Sequence, residues 1–112
     1  MRIASWNVNS VKARLPIISD WLASDRCDVL LMQETKSQDE NFPQQIFADA
    51  GWHTALHGQK SYNGVAIASR LPIEDVITGL PGDPDDEQAR YLEAHINGVR
   101  VASIYLPNGN PA

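Results

Sequence analysis

Residues 29–36 read VLLMQETK: an apolar run, then Gln33, then the carboxylate of Glu34. A Glu at such a strand mouth either marks where a buried strand reaches water or stands there to do chemistry. Three more polar residues occupy comparable places. Asn7 closes the first candidate strand, Tyr105 closes the last, and Asn108 follows in the turn Leu106-Pro107-Asn108-Gly109. In α/β sheets the strand ends form the crevices in which ligands bind. If the first two strands run parallel, as a βαβ crossover requires, Asn7 and Glu34 emerge on one edge. One carboxylate beside one amide, with water completing the shell, is a common way to hold Mg²⁺, which keeps several of its waters. A cation there polarises a phosphoryl oxygen and stabilises a leaving oxygen. Tyr105 and Asn108 could each donate to a phosphate oxygen. Each residue also has a plain structural reading: Asn7 as a turn or cap residue, Tyr105 as an amphipathic aromatic at a strand end, Asn108 as a turn former.

The histidines offer little. His53 and His57 have the i, i+4 spacing of a helical metal pair, but their segment reads as a strand, and four strand residues span roughly 13 Å. His95 alternates with Leu92, Ala94 and Ile96 and so faces away from them, toward solvent or a partner. None of the three has an acidic orienter in its sequence context. Cys27 is the lone cysteine, which leaves no disulfide frame and reads as a small buried apolar residue. No Gly-rich phosphate loop and no serine nucleophile elbow is present. The acidic segments Asp39-Glu40 and Asp83-Pro84-Asp85-Asp86-Glu87 read as solvated loops, with a calcium site the poorer alternative for the second.

These residues need elements to position them. Residues 2–8 read as a strand. Asn9-Ser10 can cap a helix running through about residue 24, with Val11, Leu15, Ile18 and Trp21-Leu22 on one face. Pro16 moves the expected start to about Leu15. Residues 28–33 form a short apolar strand covered on both faces. A helix is expected over 42–50, closed by Gly51. Strands follow at 52–57, 64–69, 89–96 and 99–105, the last pair joined by an Asn97-Gly98 hairpin turn. The order β-α-β-α-β-β-β-β predicts an α/β chain with a mixed sheet. Both helices would cover one face of it. The other face, apolar at both parities of LLM, VAIA and VASIYL, awaits a further layer.

The bulk properties narrow the function classes. At 112 residues the chain is one domain at most, with 43% hydrophobic and 21% charged residues. No apolar run is long enough to span a bilayer. Met1-Arg2 leads into a strand without a signal-peptide h-region, which predicts a cytoplasmic protein. A net charge of −5 argues against a basic nucleic-acid wrapper. It leaves room for an enzyme that holds a cation and touches phosphates locally.

Five blocks in order resemble the exonuclease III, or apurinic-apyrimidinic endonuclease, family of the exonuclease–endonuclease–phosphatase superfamily. SWNVNS (5–10) resembles its opening strand and LMQETK (31–36) its metal-ligand motif. HGQKSYNGVAIASR (57–70) is similar to the following hairpin region, LPGDPDDEQAR (80–90) to an acidic loop, and YLPNGN (105–110) to the tyrosine turn. The resemblance implies a metal-dependent hydrolase that cuts DNA phosphodiesters: 3′→5′ exonuclease action at duplex ends and cleavage at abasic sites, in base-excision repair. It implies Mg²⁺ or Mn²⁺ held by Glu34 with Asn7 beside it, and Tyr105, Asn7 and Asn108 as catalytic residues at the scissile phosphate. Lys36 would tune the charge of the metal glutamate. Lys12, Arg14, Tyr62 and Arg90, with Lys36, would touch DNA. Asn9 stands where some relatives carry an aspartate, so an additional cation contact is open there.

Members of that family are about twice this length and form a four-layer α/β sandwich. Their second half supplies an Asp–Asn pair, another Asp and a terminal Asp–His pair, which this chain does not contain. The expectation is therefore that residues 1–112 form the N-terminal portion of the domain, the first half of the sandwich, inactive alone and monomeric when complete. A non-catalytic half-domain with weak metal and DNA binding, and a sibling phosphoesterase, are the alternatives.

Overall fold

The computed structural model describes residues 2–24, 27–39, 42–58, 64–78 and 91–104. In chain order these form β1 (Ile3–Asn7), a 3-10 turn (Lys12–Arg14), α1 (Leu15–Ala23), β2 (Val29–Gln33), α2 (Gln44–Asp49), β3 (His53–His57), β4 (Val65–Ser69), β5 (Glu74–Thr78), β6 (Tyr91–Ile96) and β7 (Val99–Ile104). The strands divide into a four-stranded sheet, β1-β2-β4-β3, and a three-stranded sheet, β5-β6-β7. In the first sheet β1 and β2 are parallel, while β4 runs antiparallel to both β2 and β3. The α/β class, the mixed sheet and the helices on one face are as the sequence predicts.

The arrangement refines the half-sandwich in one respect. The strands after residue 73 do not extend the mixed sheet. They form the second sheet, which lies over the face left free by the helices. The side-chain alternation of β2 and β4 explains why both faces are apolar. Leu30, Met32, Ala66 and Ala68 point to the helix side, where they join Val8, Val11, Ile18, Leu22, Phe47 and Trp52. Val29, Val65 and Ile67 point the other way and meet Leu92, Ala94, Ile96 and Val101 of the second sheet. Each fully buried Ile or Leu in these layers contributes about 1.5–3 kcal/mol relative to exposure. β5 was not expected from the sequence: EDVIT is exposed at every position and carries no buried alternation to mark it.

Local chemistry sets the element ends. α1 begins at Leu15, since Pro16 in the first turn has no backbone N–H to lose. It ends where the Ser24 hydroxyl donates to the Trp21 carbonyl at 2.7 Å. The Asn9-Ser10 cap is corrected: Arg14 stands at the cap position without a side-chain bond, and Asn9 and Ser10 lie upstream in left-handed conformations. α2 is shorter than the expected 42–50. Its exit is a Schellman turn, with Gly51 N–H donating to the Ala48 carbonyl at 3.0 Å and Trp52 N–H to the Phe47 carbonyl at 2.9 Å. The β6–β7 hairpin has φ of 52° at Asn97 and 76° at Gly98, the two positive values of a type I′ turn.

His95 faces outward as expected, but it does have an orienter. Asp75 Oδ2 lies 3.2 Å from its Nδ1, a partner that 20 residues of separation hid. Nearby on the same outer face, Glu93 accepts from the Tyr91 hydroxyl at 2.5 Å and from Arg100. The Tyr91 hydrogen bond, then Arg100, holds the Glu93 carboxyl below its ordinary value. The same bond to Glu93 pushes the Tyr91 hydroxyl up.

Candidate active site

Parallel pairing of β1 with β2 sets Asn7 opposite Gln33. Glu34 is therefore the first residue past the sheet on the edge where β1 also ends. The two chains stay together beyond that edge. Val8 N–H donates to the Gln33 carbonyl at 3.0 Å, Ser10 N–H to the Glu34 carbonyl at 2.8 Å, and Val11 N–H to the Thr35 carbonyl at 2.9 Å. This continuation needs an unusual backbone. Asn9, Ser10, Glu34 and Lys36 have φ of 47°, 84°, 52° and 53°, each in the left-handed region that costs a non-glycine residue about 1–2 kcal/mol. Backbone strain gathered at one edge is a mark of functional sites.

Side chains tie the edge together. Asn7 Oδ1 accepts the Asn9 N–H at 3.1 Å, and Lys36 Nζ donates to Asn9 Oδ1 at 2.7 Å. Asn9 thus links Asn7 to Lys36, a role the spacing of NVN did not reveal, although an Asn in a left-handed turn was the available signal. From the third side, Thr35 N–H donates to the Gly64 carbonyl at 3.1 Å. Gly64 has φ of +94°, and a Cβ on it would lie 2.2 Å from Thr35 Oγ1. β4 enters this close only because residue 64 has no side chain.

The structure brings together Asn7, Glu34 and Lys36. Lys12 and Arg14 lie on the 3-10 turn that follows the paired segment, with Lys12 exposed and Arg14 half-buried. Tyr105, Asn108, Tyr62 and Arg90 lie outside the described residues. Glu34 is half-buried, and among the described residues no donor reaches its carboxylate. Asn7 Oδ1 uses one lone pair on Asn9 and keeps the other. One free carboxylate and one free amide lone pair suit Mg²⁺, which takes one or two carboxylates and several waters. Among the described residues no three His, Cys, Asp or Glu side chains gather into a larger ligand set. A separate cavity of about 390 Å³ lies between β1 and α1, lined by Ala4, Ser5, Trp6, Ile17, Trp21 and Leu30. Its lining carries no charge, and it does not include the Glu34 edge.

The sequence pattern described as the Endonuclease/Exonuclease/phosphatase family matches residues 4–111. Exodeoxyribonuclease III of Haemophilus influenzae is 33% identical over 97% of this chain and 42% of that protein. The structure of the 3′ phosphatase NExo from Neisseria, bound to a product DNA hairpin, superposes with a TM-score of 0.93 at 47% identity, over 97% of this chain and 42% of that one. An AP endonuclease from Archaeoglobus fulgidus gives 0.89 at 44% identity, over 96% and 41%. The chain thus spans somewhat under half the length of these relatives. The chain belongs to the Endonuclease/Exonuclease/phosphatase family.

Proposed function

We propose that this chain carries the cation-holding part of a DNA phosphodiester hydrolase of the exodeoxyribonuclease III type. The observation that carries the reading is the pairing that sets Asn7 opposite Gln33 and so puts Glu34 on the Asn7 edge. In this reading Glu34, with Asn7 beside it, holds Mg²⁺ or Mn²⁺. When bound, that cation supplies Lewis-acid polarisation of the phosphoryl oxygen and neutralises charge on the leaving oxygen. Lys36 moderates the charge of the edge through Asn9. Tyr105 and Asn108 orient the phosphate by donating to its oxygens. Lys12, Arg14, Tyr62 and Arg90 contact the duplex. The substrate is duplex DNA with 3′ ends or abasic sites, the setting is base-excision repair in the cytoplasm, and the active species is a monomer. The 112 residues alone are inactive, since the family's water-activating groups are not among them.

A second reading concerns the substrate. The Neisseria 3′ phosphatase is 47% identical and the archaeal AP endonuclease 44%, so a 3′-terminal phosphate is as well supported a substrate as an abasic site. The experiment measures release of 3′ phosphate and incision of an abasic duplex, each with Mg²⁺ and with EDTA. It is run on this chain and on any longer polypeptide that contains it. EDTA-sensitive cleavage of either DNA by the longer polypeptide, lost in Glu34→Ala, with none by the 112 residues alone, supports the reading, and the faster substrate chooses between the two. Cleavage that persists at near-normal rate in Glu34→Ala removes Glu34 from its role.

A further inference from the structure

Residues 34–38 form no regular secondary structure, yet they carry Glu34 and Lys36, two members of the candidate edge. A chain without a ladder of its own must pair its backbone groups with its neighbours. On the β1 side the neighbours are Ser10 and Val11, whose N–H groups donate to the Glu34 and Thr35 carbonyls. On the other side they are the two ends of the β3–β4 connection. At one end the Gly64 carbonyl accepts the Thr35 N–H, and its Cα lies against the Thr35 hydroxyl. At the other end Gly58, the first residue past β3, lies against the Ser37 carbonyl, and its N–H donates to Asp39 Oδ1 at 2.7 Å.

Sheet register explains why Gly58 is there. His57, Val65, Gln33 and Asn7 form one row across β3, β4, β2 and β1. Gly58 therefore follows β3 at the same end of the sheet where Glu34 follows β2. The fit is close. A Cβ on Gly58 would overlap the Ser37 carbonyl oxygen and lie 2.9 Å from Asp39 Oδ1. Gly58 is not among the glycines with positive φ, so Gly58→Ala meets contact rather than backbone strain. Two further bonds of this stretch do not reach the sheet: the Ser37 hydroxyl donates to the Gln38 carbonyl at 3.1 Å, and the Phe42 N–H donates to the Asp39 carbonyl at 3.3 Å.

We propose that Asp39 and Gly58 are positioning residues for the cation edge. The Gly58 N–H holds the Asp39 carboxylate and its bare Cα seats the Ser37 carbonyl, so the stretch carrying Glu34 and Lys36 is fixed beyond Lys36 as well as at β2. The inference rests on the reading of Glu34 as a cation ligand given above. Neither Asp39 nor Gly58 is itself a ligand. A ligand group already held in place binds at lower ordering cost than one that must first be immobilised, so loosening this anchor acts on cation affinity.

The test titrates this chain with Mn²⁺. Calorimetry gives the affinity, broadening of the amides of residues 34–36 gives the site, and Tm is measured beside them. The variants are Asp39→Ala, Asp39→Asn, Gly58→Ala, and Gly51→Ala as a stability control, since a Cβ at residue 51 meets nothing within 4 Å. Asp39→Ala and Gly58→Ala should weaken binding about 3- to 10-fold, the order of one hydrogen bond's net worth. Asp39→Asn keeps the acceptor but not the charge and should stay within about twofold of wild type. Gly51→Ala should lower Tm and leave the affinity unchanged. Should Gly58→Ala fail to fold, the two Asp39 variants decide alone. Equal weakening in Asp39→Ala and Asp39→Asn would mean that the charge of Asp39 acts rather than its bond, and overturns the proposal. Wild-type affinity in Asp39→Ala or in folded Gly58→Ala also overturns it, as do losses that follow Tm in every variant, Gly51→Ala included. Mn²⁺ that binds the wild type elsewhere, or not at all, instead overturns the reading of Glu34 on which it rests.

Discussion

Asn7 and Gln33 are register partners across the parallel β1–β2 pair, and this pairing delivers Glu34 to the edge where Asn7 ends its strand. The main-chain bonds from Val8, Ser10 and Val11 then carry the pairing past the sheet. The main chain of Glu34 is thus held by backbone bonds on both sides, while among the described residues no donor reaches its carboxylate. A carboxylate on so fixed a backbone, with no donor among the described residues reaching it, suits a cation.

Asn9 lies at the centre of that edge, accepting from Lys36 Nζ at 2.7 Å. Asn9→Asp makes this contact an ion pair, and Asp tolerates the left-handed φ of 47°. Because the pair is exposed, its effect on stability should stay within about 1 kcal/mol. The added carboxylate should tighten Mn²⁺ binding at the Asn7–Glu34 edge. Calorimetric titration of the two proteins checks this, and equal or weaker binding in the variant speaks against a cation beside Asn9.

Gly64 should be far less replaceable than Gly51. Both have positive φ, +94° and +84°, but a Cβ at residue 51 meets nothing within 4 Å, whereas one at residue 64 strikes Thr35 Oγ1 at 2.2 Å. Gly51→Ala should cost only the conformational strain, about 1–2 kcal/mol. Gly64→Ala adds displacement of Thr35 and should cost clearly more, at about 4–8 °C of Tm per kcal/mol for a domain near this size. Paired thermal melts read the difference, and equal losses would show that β4 does not approach Thr35 so closely.

Acid should destabilise the fold through two depressed carboxyls. The Arg2 N–H donates to Asp28 at 2.8 Å, and this bond chiefly lowers its pKa from 3.8. The Tyr91 hydroxyl and Arg100 lower that of Glu93 from 4.5. A carboxyl with a lower pKa folded than unfolded binds fewer protons in the native state. Its stabilisation is therefore full above the unfolded value and is lost as pH falls through the folded one. Stability should decline with pH below about 4.5, and Glu93→Gln should make that decline shallower. Tyr91 acts at the other end. Its raised pKa means that stability should fall again as pH rises past its ordinary value of 10.0. Denaturation midpoints across pH for wild type and Glu93→Gln test the assignment, and identical slopes in acid would contradict it.

Much of this was legible in the residues themselves. Pro16 marked the start of α1, Gly51 the end of α2, and Asn97-Gly98 the β6–β7 turn, because each imposes a local backbone constraint that needs no tertiary context. The apolar run of 28–33 revealed a strand covered on both faces. It could not reveal that the second cover is β5-β6-β7 of the same chain, since division into two sheets depends on where residues 70–73 lead. The site was legible as far as Asn7 and Glu34, which strand ends and a parallel crossover place together. The link through Asn9 was not, because its contact with Lys36 joins residues 27 positions apart. Asp75 as the partner of His95 was hidden in the same way.

The most direct measurement is a Mn²⁺ titration of the isotope-labelled chain followed by amide NMR, repeated with Glu34→Gln. Paramagnetic broadening should centre on the amides of residues 7–9 and 34–36 and be removed by the substitution. Broadening centred on another acidic segment, or unchanged in Glu34→Gln, would contradict the assignment of Glu34 and Asn7 as the cation's ligands.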